Sequence, residues 1–193
     1  MTKFVSVIGN GESRKNISLK SRDYDLTIGC NAVLRDYPVD YLVCVDRRMV
    51  KEALEQEYKP VIYTRKDWLS GFSYPVVPVP ELPYKGSNRP DDPFHWGSGP
   101  YAILIGALES NKVDLVGFDL YGIDNKLNNI YKNTHGYDDS HKNAVDPRYW
   151  IYQIGKIFEC FPNTKFTIYN KKDWNLPDNW IFSNVSLDIV DNL

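Results

Sequence analysis

The chain has 193 residues, with 23 Lys plus Arg against 25 Asp plus Glu. This length suits a single domain over 1–193 with a core of its own, and the balanced charge argues against a nucleic acid as partner. The three cysteines are odd in number and form no C-x-x-C pair, which indicates a reducing compartment and no structural metal site. No apolar run approaches the roughly 18 residues that would cross a bilayer. The sequence therefore predicts a cytoplasmic protein without a membrane span.

The first predicted element is a buried strand, Val5 to Ile8, that ends in the glycine turn Gly9, Asn10, Gly11. An apolar, β-branched run closing on Gly-x-Gly favours a tight strand-to-helix turn whose free backbone N–H groups hold an anion. We interpret it as a nucleotide or phosphate site. A NAD-type fingerprint is disfavoured because Arg14 follows where a third glycine or an alanine is expected. The alternative is a turn that only joins strand to helix.

The next two predicted strands also end on polar residues. The strand 25–29 is followed by Asn31 and the strand 39–45 by Asp46. Because the carboxyl ends of parallel strands line the ligand crevice of an open sheet, these side chains are expected to converge there. Asp46 has an alternative role as the N-cap of a helix predicted over 47–58.

The segment Gly97-Ser98-Gly99-Pro100 is a second predicted anion site. Ser98 is a favourable N-cap, Pro100 suits the first helical turn, and Gly99 lets a ligand approach the helix N-terminus. The apolar helix that follows is predicted over 101–108.

The remaining predicted elements alternate between strands and helices. They are a short helix within 12–20, a strand at 61–64, an irregular proline-rich and aromatic loop at about 68–96, a strand at 112–118, an irregular loop at 122–142, a helix through 161 and a last strand at 165–169. This alternation predicts one Rossmann-like α/β domain, with a mostly parallel central sheet and helices on both faces.

Four separated segments resemble the bacterial sialyltransferases of glycosyltransferase family 42. The segment 7–13, VIGNGES, is similar to their GNGPSL turn, and Cys30-Asn31 to the end of their second strand. The segment from Gly97 through 121 is similar to their block of a TSG turn, a helix and a strand ending in GIDFY. Asp139-Ser140-His141 is similar to their histidine segment. Taken together in this order and spacing, the segments extend over roughly residues 5–161.

The resemblance implies a GT-A-like fold, a CMP-sugar as donor substrate, no metal ion and transfer of the sugar to an unidentified acceptor hydroxyl. It implies that His141 is the general base and that Tyr121 donates to the leaving phosphate. His135, six residues earlier in the same loop, is the alternative to His141. The resemblance also implies a homo-oligomer. The residues expected to bind the nucleotide are Gly9, Asn10, Gly11, Asn31, Asp46, Ser98, Gly99 and Tyr131. These types fit the chemistry, since histidine titrates near neutral pH and tyrosine hydroxyls donate to a developing phosphate charge.

The chain departs from the family pattern at three positions: Glu12 replaces a proline, Asp46 an asparagine and His95 an arginine. An aspartate cannot donate to a phosphate, so Asp46 is expected to accept from a hydroxyl, a base amine or a metal.

Two other functions stay open. The same turns occur in the relatives grouped as domain of unknown function 115, which include an enzyme that transfers diphosphate to a pterin. This alternative requires Mg²⁺, for which Asp46, Asp119 and the Asp138-Asp139 pair are the available carboxylates. The other alternative is a nucleotide-binding protein without catalysis.

Overall fold

The computed structural model describes residues 3–18 and 23–190. Within them the strands are β1 (Val5–Ile8), β2 (Leu26–Cys30), β3 (Tyr41–Val43), β4 (Val61–Thr64), β5 (Val77–Pro78), β6 (Lys112–Val116), β7 (Lys165–Asn170) and β8 (Val185–Ile189). The α-helices are α1 (Arg47–Glu55), α2 (Ser98–Glu109) and α3 (Arg148–Cys160). Short 3-10 turns cover Glu12–Asn16, Asn31–Arg35, Lys66–Gly71, Arg89–Asp91, Pro93–His95 and Asp178–Trp180.

The eight strands form one parallel sheet in the order β5-β4-β3-β2-β1-β6-β7-β8. The first five strands step outward from β1 in one direction, whereas β6 pairs with the other side of β1 and begins the second half. The chain therefore reverses its direction of winding between β1 and β6. In open α/β sheets, ligands bind in the crevice outside the carboxyl ends of the strands at such a switch point.

Helices pack on both faces of the sheet, as the sequence predicts. One face buries Val5 and Val7 of β1 beneath α2 and α3, and the other buries Ile8 with Met49 and Val50 of α1. The strand side chains alternate between the faces because successive residues of a strand point to opposite sides. Nine of the twelve residues of helix α2 are buried. A helix buried on most sides carries apolar residues around most of its circumference, as α2 does. The predicted α/β fold class is confirmed.

Two strands lie where the sequence analysis expected none. Strand β5 has two residues, one of them Pro78, inside the segment expected to be an irregular loop, and β8 follows the strand expected to be last. Both are edge strands, where proline is tolerated and one side of the backbone needs no partner. The predicted helix over 12–20 is instead a 3-10 turn, and 19–22 lie outside the described residues.

None of the helices in residues 3–18 and 23–190 combines the length and the apolar character that a membrane span requires.

Candidate functional site

Seven of the eight predicted nucleotide-binding residues line one cavity at the switch point, here called the inner cavity. Its volume is about 330 Å³, which falls within the range of small-molecule sites. The glycine turn after β1, the segment after β6, the ends of β2 and β3 and the first turn of α2 surround it. The seven residues are Gly9, Asn10, Gly11, Asn31, Asp46, Ser98 and Gly99.

The glycine turn bonds to the end of β6, and a carboxylate of the protein is bound just after the turn. The backbone N–H groups of Gly9 and Gly11 donate to the carbonyls of Val116, the last residue of β6, and Gly117 at 2.7 and 2.8 Å, and the N–H of Ser13 donates to Asp119 at 2.9 Å. A Cβ on Gly11 would lie 2.4 Å from the Asp119 Cγ, so only glycine allows this approach. For Gly9 and Gly11 the expectation that these N–H groups are free for a ligand anion is therefore wrong, because the carbonyls of Val116 and Gly117 already accept from them.

Asn10 provides an acceptor that the protein leaves unused. Its side chain is only 8% exposed, and its Nδ2 donates to the Cys30 carbonyl at 3.2 Å. Its Oδ1 is buried and has no hydrogen-bond partner in the described residues. An unpaired buried acceptor costs roughly 1–3 kcal/mol, so a ligand hydroxyl or amine that donates to this oxygen would recover that cost.

The first turn of α2 faces the inner cavity with its free donors. Gly97 is the N-cap, not Ser98 as predicted. The Ser98 hydroxyl instead accepts from the Val45 N–H at 3.0 Å and donates to the Asn31 Oδ1 at 2.8 Å. The backbone N–H groups of Ser98 and Gly99 have no acceptor among residues 3–18 and 23–190. Together with the helix dipole, they favour an anionic group at this end of the cavity.

Asp46 both caps α1 and lines the inner cavity. Its carboxylate accepts from the Arg48 N–H at 2.9 Å and from the Arg48 guanidinium at 2.8 Å. These contacts hold the pKa of Asp46 below its ordinary value against the opposing effect of burial. The capping role proposed for Asp46 is confirmed, and Asp46 is in the charged form at neutral pH.

A second cavity of about 470 Å³, here called the outer cavity, adjoins the first. The two share Leu120, Asn128, Asn129 and Trp150 in their walls, and the outer cavity adds Arg48, Tyr121, Tyr137 and Asp138, among others. A molecule larger than a nucleotide therefore has room to extend from one cavity into the other.

Tyr121 lies in the wall of the outer cavity, just past the residues that line both cavities. Its ring centroid is 6.2 Å from that of Trp174. Burial raises the pKa of its hydroxyl, so the group remains protonated and can donate at neutral pH.

The structure does not bring Tyr131 to either cavity. Tyr131 is only 6% exposed and lies in the core on the α1 side of the sheet. The hydroxyl accepts from the Arg14 guanidinium at 2.7 Å and donates to the Asp36 carboxylate. Burial raises the pKa of this hydroxyl. Its partners hold it away from the residues that line the cavities.

His141 lies between two segments of the outer cavity wall, but its own side chain is exposed and lines neither cavity. Its backbone N–H donates to the Asp139 carboxylate at 2.8 Å. The rival His135 is also exposed, and its carbonyl accepts from Arg35 at 2.7 Å. The role of His141 as a base stays a prediction.

Trp150 is a site residue that the sequence analysis missed. It stands in the first turn of α3 and lines both cavities. Its indole Nε1 would lie 3.3 Å from a Cβ built on Gly97, which places the ring beside the N-terminus of α2. An indole ring offers an apolar face for a base or a sugar, and its N–H is a donor.

Glu12 and His95, two of the three positions at which the chain departs from the pattern of glycosyltransferase family 42, lie outside the walls of both cavities. Burial alone would raise the pKa of Glu12, but its ion pairs with Lys132 and Lys15 more than offset this and lower it. His95 packs edge-on against Phe94 and Tyr149 and accepts from Arg89 at 3.4 Å. Neither side chain places charge inside the inner cavity.

The carboxylates considered for Mg²⁺ do not form a metal cluster. Asp119 is bound by Ser13, Asp46 by Arg48, and Asp138 by Lys142. In the described part of the chain, no group of three or more His, Cys, Asp or Glu side chains is arranged to hold a metal ion.

Comparison of this chain with protein-family models, with curated proteins and with solved structures gave no match.

Proposed function

We propose that this protein is a glycosyltransferase that uses a nucleotide sugar as donor, with CMP as the nucleotide part. The observation that carries the proposal is the convergence of seven predicted nucleotide-binding residues on the inner cavity. Three strand ends and the start of α2, far apart in the sequence, supply them, and the parallel sheet alone does not require small or polar residues at all four places.

The polar groups of the inner cavity suit a nucleoside monophosphate. The free N–H groups of Ser98 and Gly99 would bind one phosphate, the unpaired Asn10 Oδ1 would accept from a hydroxyl or amine, and Asp46 would accept from a ribose hydroxyl. The charged residues in the described wall of this cavity are Asp46 and Asp119, with no Lys or Arg. A polyphosphate would meet net negative charge there, which favours CMP over ATP.

The outer cavity supports transfer rather than binding alone. A sugar attached to the phosphate would extend past Trp150 into a space bordered by Tyr121. The Tyr121 hydroxyl would donate to the phosphate as the bond to the sugar breaks and negative charge grows on the leaving oxygen.

We expect CMP and CMP-sialic acid to raise the unfolding temperature of the protein without added metal. A ligand at 100 times its dissociation constant stabilises the native state by roughly 2.7 kcal/mol, which corresponds to about 5–10 °C for a chain of this size. Differential scanning fluorimetry with CMP, CMP-sialic acid, a UDP-sugar and ATP with Mg²⁺, each repeated with EDTA, measures this shift. Stabilisation by ATP with Mg²⁺ alone would contradict the proposal and favour the diphosphate-transferring alternative.

We expect Tyr121→Phe to lower kcat for CMP release from CMP-sialic acid by about tenfold, because one donor to the leaving phosphate is lost. The affinity for CMP, measured by calorimetry, should change by less than twofold. A large loss of CMP affinity with unchanged kcat would show that Tyr121 acts in binding instead.

A further inference from the structure

Three carboxylates line the two cavities in the described part of the chain, and they differ in how fully they are bound. Both oxygens of Asp46 accept from Arg48. Both oxygens of Asp119 are also used, by the N–H and hydroxyl of Ser13. Asp138 pairs through one oxygen, Oδ1, with the Lys142 ammonium at 3.0 Å. The Asp138 side chain is 61% exposed, and its Oδ2 accepts from no protein group in residues 3–18 and 23–190. Asp138 is the carboxylate in the wall of the outer cavity.

We propose that Asp138 is the general base that activates the acceptor hydroxyl, an inference that rests on the proposed transfer from a nucleotide sugar. The acceptor oxygen forms a bond to the anomeric carbon while the bond from that carbon to the phosphate oxygen breaks. The electron pair of the broken bond stays on the phosphate, so CMP leaves. The hydroxyl proton passes to the free carboxylate oxygen of Asp138.

The location of Asp138 fits this role. The leaving phosphate belongs to the inner cavity, beside the first turn of α2, and the outer cavity opens from it past Trp150. An acceptor would therefore enter through the outer cavity, where Asp138 and Tyr121 both lie in the wall. Asp138 and Tyr121 then border the same space around the sugar, and a direct displacement would have the base and the leaving group on opposite sides of the anomeric carbon.

The charged groups that face Asp138 are Lys142 from its own loop and Arg48 from α1. Lys142 is the ion-pair partner. Arg48 lines the same cavity as Asp138, and the negative charges of Asp46 and, more weakly, Asp138 raise the pKa of its guanidinium. Carboxylates act as general bases in glycosidic chemistry when the attacked carbon carries oxocarbenium character. A carboxylate in this position therefore needs no imidazole to assist it.

The test compares Asp138→Asn with the adjacent control Asp139→Asn and with His141→Gln, in the full chain. Asp139 has the same chemistry and the same loop but lines neither cavity. The assay measures CMP released from CMP-N-acetylneuraminic acid, with lactose or water as acceptor. We expect Asp138→Asn to lower kcat by at least about 100-fold with an unchanged dissociation constant for CMP, and Asp139→Asn to keep the wild-type rate.

The pH profile separates a base from a structural residue. A general base must be deprotonated, so kcat falls as pH drops through the pKa of that group. We expect the fall in kcat at low pH to be present in the wild-type protein and absent in Asp138→Asn. Added formate should partly restore the activity of that variant.

Each result decides the inference. Wild-type turnover in Asp138→Asn, or loss of turnover in His141→Gln with an acid limb that persists in Asp138→Asn, would overturn the role of Asp138 while leaving the proposed function intact. Failure of the wild-type protein to release CMP at any pH would overturn the proposed function and this inference with it.

Discussion

Replacing Asp119 by alanine is expected to lower the free energy of unfolding by about 3–4 kcal/mol. The carboxylate is 6% exposed and accepts from the Ser13 N–H at 2.9 Å and from the Ser13 hydroxyl. Removing it leaves buried donors unpaired, at roughly 1–3 kcal/mol each. For a chain of this size the loss corresponds to about 6–15 °C in the unfolding temperature. Urea denaturation followed by circular dichroism measures it.

The more conservative Asp119→Asn variant is the matched control. It keeps an acceptor oxygen but places an amide group against donors, so we expect a smaller loss of about 1–2 kcal/mol. A double-mutant cycle with Ser13→Ala isolates the contact. Since the two side chains touch, their coupling should reach about 0.5–3 kcal/mol. Additive effects, or wild-type stability in Asp119→Ala, would show that the glycine turn is held by its backbone bonds alone.

Asp119 also shows what the sequence can and cannot predict about the turn. The tight path through Gly9 and Gly11 follows from the residue types, because a Cβ on either would meet atoms at 2.4 to 2.5 Å. Which acceptors take the N–H groups depends on the β1–β6 pairing, a contact between segments far apart along the chain. A local pattern therefore predicts an anion site and cannot tell a ligand phosphate from the protein's own carbonyl groups and carboxylate.

The elements themselves were predictable where burial was complete. Strands β1 and β6 are runs of buried residues that end in glycine turns, and the capping aspartate of α1 marks its first turn. Edge strands β5 and β8 bury at most one face. Strand β5 contains a proline and β8 alternates apolar with polar residues, so the sequence indicates both strands only weakly.

The residues of the candidate site also fall into a predictable group and an unpredictable one. Residues at strand ends and at the start of α2 converge because a parallel sheet brings its carboxyl ends together, and the prediction for them needs only the order of the elements. Tyr131, Asp138 and His141 lie in the loop between β6 and α3, which has no periodicity to fix its path. The sequence placed Tyr131 at the site, where the structure does not, and it gave no reason to include Trp150.

The ligand affinity of the inner cavity is expected to depend most strongly on Asn10. In the protein without ligand, the buried Oδ1 of Asn10 has no partner in the described residues, so a donating ligand group gains a bond and removes a cost that the protein already bears. Leucine has nearly the same shape and no polar atoms. We expect Asn10→Leu to weaken CMP binding about 100-fold, equivalent to about 2.7 kcal/mol.

The same substitution should change stability little, and this contrast makes the test specific. Asn10→Leu removes the unpaired Oδ1, which favours the variant, and loses the bond from Nδ2 to the Cys30 carbonyl, which disfavours it. These two changes are similar in size and opposite in sign, so the unfolding free energy should stay within about 1 kcal/mol of wild type. Asn143 is exposed, and its side chain accepts from Lys126 at 3.1 Å. Asn143→Leu is therefore the control for adding an apolar side chain and should bind CMP normally.

Calorimetry of CMP with each variant and urea denaturation of each variant complete the comparison. Loss of binding together with several kcal/mol of stability would mean that Asn10 holds the turn rather than the ligand. Wild-type CMP affinity in Asn10→Leu would mean that the ligand does not donate to this oxygen, because removing an acceptor that a bound donor uses would leave that donor buried and unpaired. The unpaired oxygen would then be satisfied by solvent in the free protein, and the nucleotide would have to lie closer to α2 and Trp150.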